Sequence, residues 1–339
     1  VRATERESAA MVFKRLLGAI GVGGPSVDTV LDDGAVLPGG VLSGRVCVVG
    51  GTSAAEIEHV TLELVARVEA EGGDGEREGL VAFHRATVDG GFRLAEGQER
   101  EVAFGLPLPW ETPMTELHGQ GLGVVLGVRT ELAVAGAKDK GDLDPLRVRP
   151  LPLQEAVLEA FGQLGYGFTG ADLELGHIDG TSQSLPFYQE IELSPPPSLA
   201  HALQEVEVTF LATPVGMEVV LEADKRGGPL SAGGDAVHRF TVAHQDVERM
   251  DWPAAVDSWV RGLVERRDDA YVLDHGPAAS EAHFAGHGAG GRSGPGTGAV
   301  VAGVAAGVAV GVVGGIVAAE VVDEIGDAFE GDEGDEGED

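Results

Sequence analysis

Over residues 26–150 the apolar side chains recur at every second position rather than at every third or fourth. A strand points successive side chains to opposite faces, so this period dictates sheets with one buried side. The run Val41-Leu-Ser-Gly-Arg-Val-Cys-Val-Val49 follows a Pro38-Gly39-Gly40 turn. Residues 57–68 set Val60, Leu62, Leu64, Ala66 and Val68 against Glu63, Val65 and Arg67. Further runs lie at 80–88, 98–108 and 122–134, separated by clusters of Gly, Pro and Asp. Short antiparallel strands with no helix between them predict a β-sandwich, because two half-apolar sheets bury each other.

The pattern breaks at Leu143-Asp-Pro-Leu-Arg-Val-Arg-Pro-Leu-Pro152, where the prolines predict an extended connector. Val157, Leu158, Phe161 and Leu164 then recur at three and four, a short amphipathic helix over 154–164 that ends at Gly165. Strand signals resume at 172–175, 185–193, 205–211, 217–223 and 237–242, and predict a second, smaller β-sandwich. The runs 205–211 and 217–223 read as the clearest hairpin in the chain. Residues 252–264 form a closing helix with Trp252, Val256, Trp259, Val260 and Leu263 inward and Asp251 as its cap. These shifts divide the chain into an N-terminal extension with a short helix (1–24) and two sandwiches (25–150 and 151–268). A Gly/Ala/His linker (269–298), a glycine-rich apolar helix (299–319) and an acidic tail (320–339) follow. Residues 1–10 read as an over-long translation start, with Met11 as initiator and no secretory signal after it.

Charge removes one class of partner. Lys and Arg total 23 against 56 Asp and Glu, a net of −33, and a field of that sign repels phosphate backbones. Nucleic acid is therefore excluded. Cys47, the one cysteine, rules out an intrachain disulfide and a cysteine-based zinc site, and is compatible with the cytoplasm.

Four stretches together resemble a known family. They are Met11-Val-Phe-Lys-Arg-Leu-Leu-Gly-Ala-Ile-Gly-Val-Gly with Val27-Asp-Thr, and Val128-Arg-Thr-Glu-Leu through Lys140-Gly-Asp-Leu-Asp-Pro to Val148-Arg-Pro-Leu-Pro. The others are Leu185-Pro-Phe-Tyr-Gln-Glu-Ile-Glu-Leu193, and Glu205-Val-Glu-Val-Thr-Phe-Leu211 with Val219-Val-Leu-Glu-Ala-Asp-Lys-Arg226. In order and spacing they are similar to the bacterial sporulation-control proteins of the SpoOM family, which resemble arrestins in fold. The resemblance implies an all-β chain of two tandem arrestin-like antiparallel β-sandwich domains. It also implies a non-enzymatic regulatory role, exercised through protein partners in sporulation or cell-envelope control. It supplies no catalytic, cofactor-binding or metal-binding residue. The glycine-rich segment and acidic end depart from the family pattern.

The residues themselves support no reaction. No G-x-S-x-G elbow, H-E-x-x-H pair or Walker lysine occurs, and Gly18-Ala-Ile-Gly-Val-Gly-Gly24 lacks the preceding strand of a phosphate loop. His283 and His287, with Glu281 and His275 near, sit in a Gly/Ala linker and read as a chance pair. His59, His84, His177 and His238 read as sheet-surface side chains. The run of Lys138, Asp139, Lys140, Asp142 and Asp144 reads as a solvated turn, or as an ionic latch between the two domains where the family places it. Gly303, Gly307, Gly311 and Gly315 line one stripe of an uncharged 21-residue run, the small-residue packing of membrane helices. That stripe predicts a membrane span, self-association in solution into a homo-oligomer, or a flexible tail. A carbohydrate- or lipid-binding sandwich is the alternative to an adaptor, but Trp110 is the only tryptophan of the first unit and aromatic platforms are scarce.

Overall fold

The computed structural model describes residues 23–72, 75–223 and 238–274. Its strands are β1 (Ser26–Leu31), β2 (Val41–Val49), β3 (Ala55–Gly72), β4 (Gly75–Leu94), β5 (Glu99–Pro107), β6 (Glu116–Leu117), β7 (Gln120–Gly121), β8 (Leu126–Val134) and β9 (Lys140–Pro145). Helix α1 (Pro152–Gln163) follows, then β10 (Gly167–Leu175), β11 (Phe187–Ser194), β12 (Val206–Ala212), β13 (Gly216–Ala223) and β14 (His238–Ala243). A 3-10 turn (His244–Asp246) leads to α2 (Trp252–Asp274).

One sheet has the order β1-β2-β5; a longer one runs β14-β13-β12-β11-β10-β3-β8-β9, with β4 also on β3. Every pairing within these sheets is antiparallel except a single parallel contact, Glu174 against Glu69, which joins β10 to β3. The long sheet is thus two antiparallel halves held by one seam, and a separate hydrophobic core lies against each half.

The first core is a sandwich, as the alternation predicts. Leu42, Val46 and Val48 of β2 and Val102 and Leu106 of β5 face Val60, Leu62, Leu64 and Ala66 of β3, all buried. Their charged neighbours take the opposite face of the sheet, where register makes an ionic ladder around a buried Glu63. Glu63 on β3 lies directly opposite Arg85 of β4 and Arg129 of β8, and accepts from Arg129 Nε at 2.7 Å. Cross-strand opposite charges of this kind stabilise a sheet pair modestly.

The hairpin of β3 and β4 outruns its apolar segments. Its strands are 18 and 20 residues long and stay paired to Gly72 and Gly75, where alternation has given way to glutamates, an arginine and glycines. The period of two therefore marks only part of each strand. Strand β9 corrects a second expectation: residues 140–145, read as a turn and connector, pair with β8 in full register from Lys140–Leu132 to Pro145–Gly127.

The second core also departs from expectation. Among the described residues its sheet packs on α1 and α2, not on a second sheet. Leu153, Val157, Phe161 of α1 and Trp252, Val256, Trp259, Val260 and Leu263 of α2 are buried against Val206, Val208, Val219 and Leu221. The two helices bury enough apolar surface to close the sheet, so no second sheet is required. Pro152 starts α1, the Leu151 N–H donates to Gln154 Oε1 (2.8 Å), and Gly165 ends it with φ +87°. Asp251 caps α2, its Oδ1 accepting from the Ala254 N–H at 3.2 Å. The hairpin of β12 and β13 pairs from Val206–Ala223 to Ala212–Met217.

Candidate functional site

The two cores exchange side chains across the seam. Met114 and Leu122, from the first half of the sequence, are buried in the second core, whereas Leu173, Leu185 and Phe187 are buried in the first. Phe187 meets Phe83 edge to face at 5.4 Å, a favourable aromatic geometry. The boundary at residue 150 therefore divides the chain but not the packing.

Residues 109–122 form a strap over this junction. The Trp110 ring lies 5.5 Å from the His244 ring and covers Gly39. A Cβ on Gly39 would lie 2.5 Å from that ring, and its φ of +70° also favours glycine. Glu111 accepts from the backbone N–H groups of Ser184 (2.8 Å) and Leu185 (3.0 Å). The Met114 N–H donates to Gln189 Oε1 (3.0 Å), and the Met114 carbonyl accepts from Gln189 Nε2 (2.8 Å), so one side-chain amide imitates a strand neighbour. Arg147 donates to Glu116 through Nε (2.9 Å) and Nη2 (2.7 Å), and His118 Nδ1 stands 3.2 Å from Glu155 on α1. A shallow cleft beside the strap is lined by Trp110, Glu111, Gln154, Tyr188, Gln189 and Phe210. These hydrogen bonds join parts of the chain some 70 residues apart across the junction of the two cores.

Nothing local announces these residues. Trp-Glu-Thr-Pro-Met has neither strand nor helix period, and the one usable signal is Trp110 and Met114 standing in a polar, proline-bounded segment.

The run expected as a latch is built differently. Lys138 and Asp139 occupy the turn from β8 to β9, where Asp139 Oδ1 accepts from the Val134 N–H (3.2 Å). Lys140, Asp142 and Asp144 lie on β9. Asp142 is buried and accepts from the Thr29 N–H of β1 at 2.7 Å; Thr29 Oγ1 in turn meets Thr130 Oγ1 at 2.6 Å. These bonds tie the two sheets of the first core together. Asp144 Oδ2 is buried with no hydrogen-bond partner among the described residues. Burial first, then the neighbouring Asp142 charge, push the Asp144 carboxyl up to about 8. Between the ordinary aspartate range and 8 the folded state therefore holds more protons than the unfolded chain, so stability is highest at the acid end and declines as pH rises through that window. Asp144→Asn should flatten this decline, read as a smaller difference in Tm between pH 5.5 and pH 8.5 than in the parent. An equal difference in both proteins would show that Asp144 does not carry it.

Gly303, Gly307, Gly311, Gly315, His275, His283, His287 and the short helix of 1–24 lie outside the described residues, save Gly23 and Gly24 in a turn. Among the described residues, no helix is long and apolar enough to cross a membrane.

Comparison with known proteins places this architecture. The family model described as SpoOM protein matches residues 13–227, a span that includes the strap. Sporulation-control protein spo0M of Bacillus subtilis (strain 168) is 35% identical over 216 residues, covering 63% of this chain and 81% of that protein. The crystal structure of Spo0M, sporulation control protein, from Bacillus subtilis superposes with a TM-score of 0.63 at 29% identity, covering 72% of this chain and 99% of that one. It shares the β-rich fold with few helices.

Proposed function

The chain belongs to the SpoOM protein family, and from that premise we propose that it is a regulatory scaffold of sporulation control, acting by contact with protein partners and without chemistry of its own. The observation that carries this reading is the strap: buried side chains and backbone hydrogen bonds hold two cores in one orientation, which presents a composite surface to a partner. A rigid composite surface suits recognition, since little ordering entropy remains to be lost on docking. Loops and sheet faces near the seam would make the contacts.

The test is genetic and biochemical. Deleting the gene in the host is expected to alter spore yield, and the full-length protein to restore it. Capture from cells entering sporulation should recover the same protein partner with the full-length chain. Comparison with a chain ending at residue 292 shows whether the segment 299–319 contributes. Unchanged spore yield in the deletion strain overturns the sporulation role; turnover of a substrate by the purified protein overturns the scaffold.

A further inference from the structure

We propose that His118, Glu155 and Glu159 form a binding site for a divalent first-row transition metal such as Zn²⁺ or Co²⁺. The three offer one imidazole nitrogen and two carboxylate oxygens, all within 4.8 Å of one another. They come from two elements distant in sequence. His118 is at the turn of the β6–β7 hairpin on the strap, and the two glutamates are one turn apart on α1. Among the described residues His118 is the only non-glycine residue with a positive φ, 50°, and in this conformation its Nδ1 lies 3.2 Å from Glu155 Oε1.

The ion pair of His118 with Glu155 accounts for two of the three groups. It does not account for Glu159, which has no ion pair or hydrogen bond among the described residues and stands where it repels Glu155 across one helical turn. A cation between the two carboxylates removes that repulsion. Zinc binds nitrogen and oxygen at about 2.0–2.2 Å in tetrahedral geometry, so its ligand atoms lie roughly 3.3–3.6 Å apart, a spacing that His118 and Glu155 already approach at 3.2 Å. Glu159 is exposed, and the side chains of His118 and Glu155 are 51% and 42% exposed, so the group has room for the shift of about an ångström that tetrahedral spacing requires. Imidazole favours zinc, cobalt or nickel over calcium and magnesium, and water would fill the remaining coordination positions. The other close-set group among the described residues, Asp172, Glu174 and Glu190, is all carboxylate and lacks this nitrogen donor.

This inference is independent of the sporulation reading, because it concerns binding by the purified chain. The full-length protein is titrated with Co²⁺ while the His118 ring resonances are followed by NMR, assigned with His118→Asn, a residue that tolerates positive φ. Zn²⁺ affinity is measured by calorimetry on the parent, His118→Asn and Glu159→Gln. The histidines at 275, 283 and 287 and the acidic end provide background sites, so the difference between proteins is what is read. Expected are strong broadening of the His118 ring and, in the variants, loss of one site or weakening by at least about tenfold, the lower end of what losing a group that merely supports a metal's ligand produces. The metal-free melting temperature of Glu159→Gln should be unchanged or raised. A His118 ring unaffected at millimolar Co²⁺, or Zn²⁺ isotherms identical in the parent and Glu159→Gln, overturns the site and leaves an ordinary ion pair.

Discussion

Trp110→Ala is expected to destabilise the protein by about 3 kcal/mol, the lower end of the cost of truncating a packed tryptophan, since the ring is only partly buried. More telling is how the loss is distributed. The ring bridges Gly39, on a turn of the first sandwich, to His244, beyond the last strand of the second sheet. His244 is itself held, its Nε2 2.8 Å from the Thr213 carbonyl. Removing the ring should uncouple the cores, so that denaturant unfolding broadens or divides into two transitions and small-angle scattering shows a larger radius of gyration. Gly39→Val attacks the same contact from the other side, because any Cβ there meets the ring, and should reproduce both effects. A stability change below about 1 kcal/mol with a single transition and an unchanged scattering profile would show that the remaining strap bonds suffice.

Trp259→Ala should cost more, about 3–5 kcal/mol, because this ring is buried and well packed. It stacks on Phe240 of β14 with centroids 4.5 Å apart and planes 16° from parallel, and meets Trp252 edge-on at 6.4 Å. Trp252 is anchored in turn by its indole N–H, which donates to the Val247 carbonyl at 2.9 Å. The substitution should detach α2 from the sheet, seen as loss of near-ultraviolet circular dichroism and early proteolysis after residue 243. Trp259→Phe, which keeps a stacking ring, should recover most of the loss. An alanine variant within 1 kcal/mol of the parent would mean that α2 does not close this core.

These two tryptophans differ in how visible their roles are before folding. Trp259 lies on a helix whose apolar residues recur at three and four, so its inward orientation is readable from spacing, and all five residues assigned to that face are buried. The buried faces of β2 and β3 are readable in the same way from the period of two. Trp110 lies in a segment without a period. Asp142 is a further case: a charged residue in a polar run reads as solvated, yet it is buried because a backbone N–H of β1 is there to receive it.

Local patterning thus determines which side chains leave water, since strand and helix geometry impose their own periods on any sequence. It does not name the surface those side chains meet. That the second sheet is covered by helices, that Met114 crosses into the second core while Phe187 crosses into the first, and that a strap rather than the charged run spans the seam all depend on contacts between residues far apart in the chain. Such contacts are selected by shape and by the need to pair every buried polar group, and neither is written in the spacing of neighbouring residues.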